Sequence, residues 1–193
     1  MLQSPDQRPA AVPAEATQAG TIRDRWSWVE PVVWTERMLT ALETGVQGGV
    51  WFSLMDKVYS ERNLEQAYHR VAANHGCAGV DRVTVEQFGE HLNANLRQLH
   101  DGLRNGSYVP LTVVRHYIPK PGSATPRPLG IPTVRDRVVQ TALRHVLEPI
   151  FERDFAAHSY GFRPGRGCKD ALRRVDGLLK EGYLYVVDAD LKS

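Results

Sequence analysis

Apolar residues recur at helical spacing along most of this chain. Trp34, Met38, Leu39 and Leu42 predict a helix over 32–45, followed by a Gly48-Gly49 break. Leu64, Ala67, Tyr68 and Val71 share one face of NLEQAYHRVAANH, a second helix that should stop at Gly76. The stretch HGCAGVDRV that follows is rich in turn formers. Thr84 and Gln87 then stand at capping-box spacing, where hydroxyl and amide satisfy each other's backbone N–H groups. One long helix should run from there with Phe88, Leu92, Leu96, Leu99 and Leu103 inward, ending at Asn105-Gly106.

The period then changes. VVRHYIP alternates and is rich in β-branched residues, so it predicts a strand. PKPGSATP reads as a turn and RPLGIP as a second short strand, which together make a hairpin. Pro132 and Thr133 open another helix, with Val134, Val138, Ala142, Val146 and Ile150 inward and Val139, Leu143 and Leu147 beside them. HSYGFRPGRG is a loop, and Ala171, Leu172, Val175, Leu178 and Leu179 mark a further helix closed by Gly182. YLYVVDADLKS reads as a final strand. Helices, hairpin, helices and strand in that order define an α+β chain whose last strand needs partners from elsewhere.

Composition adds three constraints. Residues 1–25 are rich in Pro, Ala and Gln and predict a disordered tail. No apolar run approaches the roughly 20 residues that span a bilayer, and the first residues lack the pattern of a signal peptide, so a membrane role is not expected. Cys77 and Cys168 have no metal-ligand spacing and are expected to be reduced thiols in a cytoplasmic protein.

Charge changes the picture more. From Arg104 to Arg174 there are 13 Lys/Arg against 5 Asp/Glu, a net of +8 in a chain whose total is only +2. That local excess suits a polyanion. Lys120 and Arg127 flank the hairpin turn and offer a point charge and a rigid fork to phosphate groups; edge-protecting charges on a surface hairpin are the ordinary alternative. HSYGFRPGRG interleaves Tyr160 and Phe162 with Arg163 and Arg166 among glycines, the mixture that stacks bases and neutralises phosphate; a buried aromatic anchor would look the same. Arg135 and Arg137 are expected to point outward beside Asp136 on the first turn of their helix. On the last strand, alternation puts Asp188 and Asp190 on one face, where carboxylate oxygens suit a hard cation such as Mg²⁺, although the D-x-D pattern alone is weak.

Taken in order, these motifs resemble group II intron-encoded reverse transcriptases, also called maturases. PKPGSATPRPLGIPTVRDRVVQ looks like the family's first block, HSYGFRPGRG like its second, and YVVDADLKS like the start of its third. Upstream, WTERMLTALETGVQGGVWFSLMDKVY resembles the N-terminal extension and GCAGVDRVTVEQF an additional block before the fingers. The likeness runs from Trp26 to Ser193. It implies an N-terminal extension with helical RNA-binding parts over 26–110, and over 111–193 the fingers and first palm strand of a right-hand polymerase.

Residue by residue, the resemblance implies that Asp190 is the first catalytic aspartate and binds both Mg²⁺ ions. It implies that the Leu191 carbonyl faces the nucleotide-side ion and that Lys120 and Arg127 grip the dNTP triphosphate. Phe162, Arg163 and Pro164 would lie near template and nucleotide, with Asp188 secondary. Intron RNA, an RNA template with its DNA primer, and dNTP are the implied partners. The family's later Y-x-D-D turn does not occur in these residues. The chain is therefore expected to be an N-terminal fragment, inactive alone, to which a separately encoded C-terminal part is one route to completion. A catalytically dead RNA-binding fragment or remnant, and a retron- or CRISPR-type reverse transcriptase, are the alternatives.

Overall fold

The computed structural model describes residues 21–45, 51, 53–122 and 124–189. The chain divides after Arg153 into two compact units. In the first unit the elements are α1 (Thr21–Arg25), α2 (Glu36–Thr44), α3 (Leu54–Val58), α4 (Glu61–Ala73), α5 (Val85–Glu90), α6 (Leu92–Arg104), β1 (Val114–Ile118), β2 (Arg127–Ile131) and α7 (Val134–Glu152). The second unit holds α8 (Cys168–Lys180). An α+β composition with a small two-stranded sheet is what the periodicities predict.

α7 is the spine of the first unit. Val134, Val138, Ala142 and Val146 are fully buried, and α4 and α3 pack along them. Leu39, Leu64 and Trp34 complete the same core. Pro149 lies inside α7, so the carbonyl of His145, four residues earlier, has no helical N–H to accept from. Trp34 Nε1 fills that gap, donating to the His145 oxygen at 2.9 Å. A second polar contact crosses the core from Asn63, which is fully buried. Its Nδ2 donates to the carbonyls of Lys57, Val58 and Ala142 at 2.9–3.3 Å, which turns its Oδ1 toward His145 Nδ1 at 2.8 Å. Because Oδ1 can only accept, Nδ1 carries the proton in the neutral ring. Burial first, then the nearby Arg70 and Arg144, lower the His145 pKa to about 4.

Several expectations need correcting. Residues 21–25 are helical, with Ile22 and Trp26 in the core, so the expected tail is too long by those residues; residues 1–20 lie outside the described ones. The helix expected over 32–45 begins at Glu36, because the Thr35 hydroxyl accepts from Met38 N and caps it. The helix expected from Asn63 begins two residues earlier, at Glu61, because Ser60 caps it. α3 was not anticipated.

The single long helix after Thr84 is two, broken at His91. Tyr68 lies over α5 so closely that a Cβ on Gly89 would sit 2.2 Å from its hydroxyl, and Asn95 Nδ2 takes the Phe88 carbonyl at 2.9 Å across the break. The capping box itself forms as expected, with Gln87 Oε1 2.9 Å from Thr84 N.

The final strand is also corrected. Residues 183–189 have no regular secondary structure and every one is exposed. β1 and β2 pair only with each other, so no ladder partner meets this stretch among the described residues. A strand without a partner has no hydrogen bonds to hold it. α8 forms where the periodicity puts it, but its apolar stripe of Leu172, Val175 and Leu179 stays exposed.

Candidate nucleotide and nucleic-acid interface

The hairpin is antiparallel, with Val114 opposite Ile131 and Ile118 opposite Arg127. Nearly all of its residues are exposed, so its own side chains contribute little packing. What fixes it is the joint at its base. Asp136 is 3% exposed and accepts from the Tyr108 hydroxyl at 2.5 Å, Leu111 N at 3.1 Å and the Thr133 hydroxyl at 2.8 Å. Thr133 in turn caps α7 by accepting from Asp136 N. One carboxylate thus ties the segment entering β1 to the residue that follows β2 and starts α7. Burial, then the bond to Asp136, push the Tyr108 phenol pKa well up and keep it a neutral donor.

The neighbouring arginines work on the same joint. Arg135 donates to the Val109 carbonyl at 2.6 Å and its guanidinium lies 5.2 Å from the Tyr108 ring centre. Arg137 donates to the Cys77 carbonyl. The loop bearing Cys77 comes so near that a Cβ on Gly79 would stand 2.5 Å from Thr133 Cα, a backbone atom that cannot swing aside. The expectation of outward-pointing Arg135 and Arg137 is therefore corrected. Both are half-buried and bind carbonyls of segments that converge on the start of α7.

Lys120 and Arg127 come together. They line one open pocket of about 390 Å³ with Ile118, Pro119, Pro121 and Leu129. Gly122 at φ 76° is in the left-handed region that lets the turn close. Two cations on an apolar floor can hold an anion with several oxygens, and Arg127 can do so with two parallel bonds.

In the second unit the loop reverses the expected division of labour. Arg163 is 8% exposed, donates to the Ala156 and Ser159 carbonyls at 2.8 and 3.0 Å, and lies over the Phe155 ring. Arg166 likewise donates to the Ala157 and Ser159 carbonyls. Phe162 is fully exposed and left-handed, at φ 56°. The arginines hold the loop and the aromatic projects from it. Pro164 is half-buried between them. Sequence could not assign these directions, because they depend on which carbonyls the folded loop turns toward the two guanidiniums.

Asp188 is exposed, and Asp190 and Leu191 lie outside the described residues. Among the described residues no group of three or more His, Cys, Asp or Glu side chains is gathered to hold a metal ion. No described helix is long and apolar enough to cross a membrane. Cys77 and Cys168 are exposed free thiols. The functional residue that sequence reasoning missed is Asp136. A Thr at the cap with Asp three positions on was the available signal for it.

Comparison with known proteins gives these features a setting. Residues 118–193 match the family described as reverse transcriptase (RNA-dependent DNA polymerase). The matched segment begins at the end of β1 and takes in the hairpin, α7 and α8. The chain's relatives include group II intron-encoded proteins and intron maturases.

It is 37% identical to the group II intron-encoded protein LtrA of Lactococcus lactis subsp. cremoris over 129 residues, which is 66% of this chain and 21% of LtrA. It is 43% identical to protein YkfC of Escherichia coli K12 over 119 residues, 60% of this chain and 31% of YkfC. It is 40% identical to the mitochondrial nuclear intron maturase 1 of Arabidopsis thaliana over 62 residues, 32% of this chain and 9% of that protein. The chain thus spans less than a third of the length of these relatives.

Proposed function

We propose that this chain supplies the fingers and the aspartate-bearing segment leading into the palm of an RNA-directed DNA polymerase that serves a group II intron in splicing and mobility. The observation that carries the reading is the convergence of Lys120 and Arg127 on one pocket within the matched segment. Lys120 would meet the dNTP triphosphate as a point charge and Arg127 as a fork, neutralising charge that builds on the phosphates during transfer. The joint at Asp136 would keep the hairpin, and so both cations, at a fixed angle to α7. Phe162 would offer a face to the template or nucleotide, with Arg163 and Pro164 shaping the loop that presents it.

The donor chemistry at the chain's last residues fits a hard cation: a carboxylate from Asp190 and a backbone oxygen from Leu191 would hold Mg²⁺. When bound, Mg²⁺ lowers the pKa of the primer 3′-hydroxyl and neutralises the pyrophosphate that leaves. Asp190 is the one aspartate of this chain at a family metal position, and Y-x-D-D does not occur in it. The chain by itself therefore extends no primer. Its own activity is to hold dNTP and RNA.

A second reading, an RNA-binding module without catalysis, is favoured by the net +8 over Arg104–Arg174. Two measurements separate the readings. Primer extension on an RNA template with Mg²⁺ should give no product; product would refute the claim of inactivity. Binding of a fluorescent dNTP should fall about tenfold or more in each of Lys120→Ala and Arg127→Ala, the loss of one charge-assisted phosphate contact. Unchanged dNTP affinity in both variants would leave the RNA-binding module as the better reading.

A further inference from the structure

The loop joining α4 to α5 is held in an unfavourable backbone conformation. His75 at φ 45° and Arg82 at φ 59° are left-handed without being glycine, and they bracket residues 76–81. Such residues persist where surrounding contacts hold them, and they gather at functional segments. Both ends of the loop are anchored in the core, by Val71 of α4 and by Val85 and Phe88 of α5. Inside it, Arg82 N donates to the Gly79 carbonyl at 3.1 Å and Val83 N to the Asp81 carboxylate at 3.2 Å.

The middle of this loop bears on the link between hairpin and α7. That link is two residues, Pro132 and Thr133. A Cβ on Gly79 would lie 2.5 Å from Thr133 Cα, 2.7 Å from Thr133 N and 3.0 Å from the Pro132 carbonyl carbon, all of them backbone. Arg137, one turn into α7, fastens the same contact. It donates to the Cys77 carbonyl, and its guanidinium fills the space beside Gly76. Its Nε is buried and without a hydrogen-bond partner, so the side chain forgoes one bond to stay there.

The hairpin has no comparable support along its length, because nearly all of its residues are exposed. Its direction is set at its base. Arg127 stands six residues before Thr133, about 20 Å along an extended strand, while the two strands are about 4.8 Å apart. A displacement across the base is therefore magnified about fourfold at the cations.

We propose that the 75–82 loop is a positioning element, in which Gly79 and Arg137 set the direction in which the hairpin presents Lys120 and Arg127 relative to the core helices. The Asp136 joint ties the two ends of the hairpin together, and the loop decides where the joined hairpin points. The pocket itself does not depend on the loop, since every residue lining it belongs to the hairpin. The inference rests on the polymerase reading only for the use of that direction, which is to aim a held dNTP.

The test measures direction and pocket separately on the full chain. Nitroxide labels go on Ala124→Cys at the hairpin turn and Glu65→Cys on α4, both exposed, with Cys77→Ser and Cys168→Ser removing the native thiols. Cys77 gives Arg137 only its backbone carbonyl, so serine can replace it. Double electron–electron resonance reads the distance between the labels, a fluorescent dNTP reads the pocket, and circular dichroism checks folding. Ordinary contact begins at 3.4 Å, so Gly79→Ala must part the loop from Thr133 by about 1 Å. The label distance should then shift or broaden by about 4 Å, with dNTP affinity unchanged. Arg137→Met should move it in the same way, and Arg137→Lys, which keeps a donor for the Cys77 carbonyl, should restore it. Val80→Ala, beside Gly79 but exposed, should leave it in place.

An unmoved distance in Gly79→Ala, or an equal shift in Val80→Ala, overturns the proposal. So does a loss of dNTP affinity in Gly79→Ala, which would mean that the loop shapes the pocket instead of aiming it. Should Gly79→Ala not fold, the Arg137 pair decides: no shift in Arg137→Met, or no recovery in Arg137→Lys, refutes the positioning role. The label distance is read without dNTP, so a failure here is distinguishable from a failure of the polymerase reading, which would show as no dNTP binding by the unsubstituted chain.

Discussion

Replacing Asp136 should loosen the hairpin before anything else. In Asp136→Ala three donors lose their acceptor: the Tyr108 hydroxyl, the Thr133 hydroxyl and Leu111 N. Leu111 is exposed and its N–H can turn to water at small cost. Thr133 is fully buried and Tyr108 half-buried, so their hydroxyls bear most of the loss. A hydrogen bond to a charged group contributes about 1.5–3 kcal/mol. An acidic residue in the first turn of a helix adds about 0.3–1 kcal/mol. Allowing for some water entry, Asp136→Ala should cost about 3–4 kcal/mol.

Asp136→Asn keeps the shape but turns an amide N–H₂ toward at least one donor, and should cost about 2 kcal/mol. Urea unfolding of the full chain gives both values. Hydrogen exchange adds the location: amides of 111–131 should exchange faster in Asp136→Asn while those of α4 stay protected. A loss below about 1 kcal/mol in the alanine variant, or faster exchange spread evenly over the first unit, would show that the carboxylate is not what holds the hairpin base.

Three further outcomes follow from the same geometry. His145 has a folded pKa near 4 against an ordinary 6.5, so the unfolded chain binds the extra proton first as pH falls. Stability should be complete above about 6.5, decline through the window down to about 4 and then level; the full shift is worth at most about 3.4 kcal/mol, reduced to about 1–2 by the ring's partial exposure. His145→Gln should remove that pH dependence from the urea midpoint, and an unchanged slope would assign it to other groups. Trp34→Phe strips the donor from the carbonyl that Pro149 leaves unpaired and should cost about 2–3 kcal/mol in urea unfolding, a neutral result meaning that water replaces the indole. Phe162→Gly removes a left-handed, unburied aromatic and should hold or raise the melting temperature while weakening single-stranded RNA binding; a drop in melting temperature would mean the ring packs in solution.

What the sequence made legible is whatever depends on neighbours three or four residues apart. The stripe on α7 appears in the core residue by residue from Val134 to Val146. The Thr84–Gln87 box forms as its spacing says. What stayed hidden depends on partners far along the chain. Asp136 lies between two arginines and looks like one charge of a solvated helix end, yet its acceptor role is set by Tyr108, 28 residues away. Asn63 looks like an ordinary polar helix residue, and only the approach of Ala142 makes it a core hydrogen-bonding group.

The failed strand at 183–189 and the loop around Phe162 teach the complementary lesson. A strand is not a property of its own residues, since alternation selects its faces but only a neighbour supplies its hydrogen bonds. Tyr185 and Val187, on one face by alternation, are as exposed as Leu184 and Val186 on the other. Nor does an aromatic–arginine loop announce which side chain it will bury. In 155–166 the guanidiniums win the interior because four carbonyl contacts satisfy them there, whereas Phe162 would bring only its ring. The same arithmetic runs through the hairpin joint, where Arg135 and Arg137 also end on carbonyls. Much of the chain's positive charge near these segments is therefore committed to building the framework. That commitment singles out Lys120 and Arg127: they line one pocket and make no ion pair or side-chain hydrogen bond among the described residues, which leaves their charge available to phosphate.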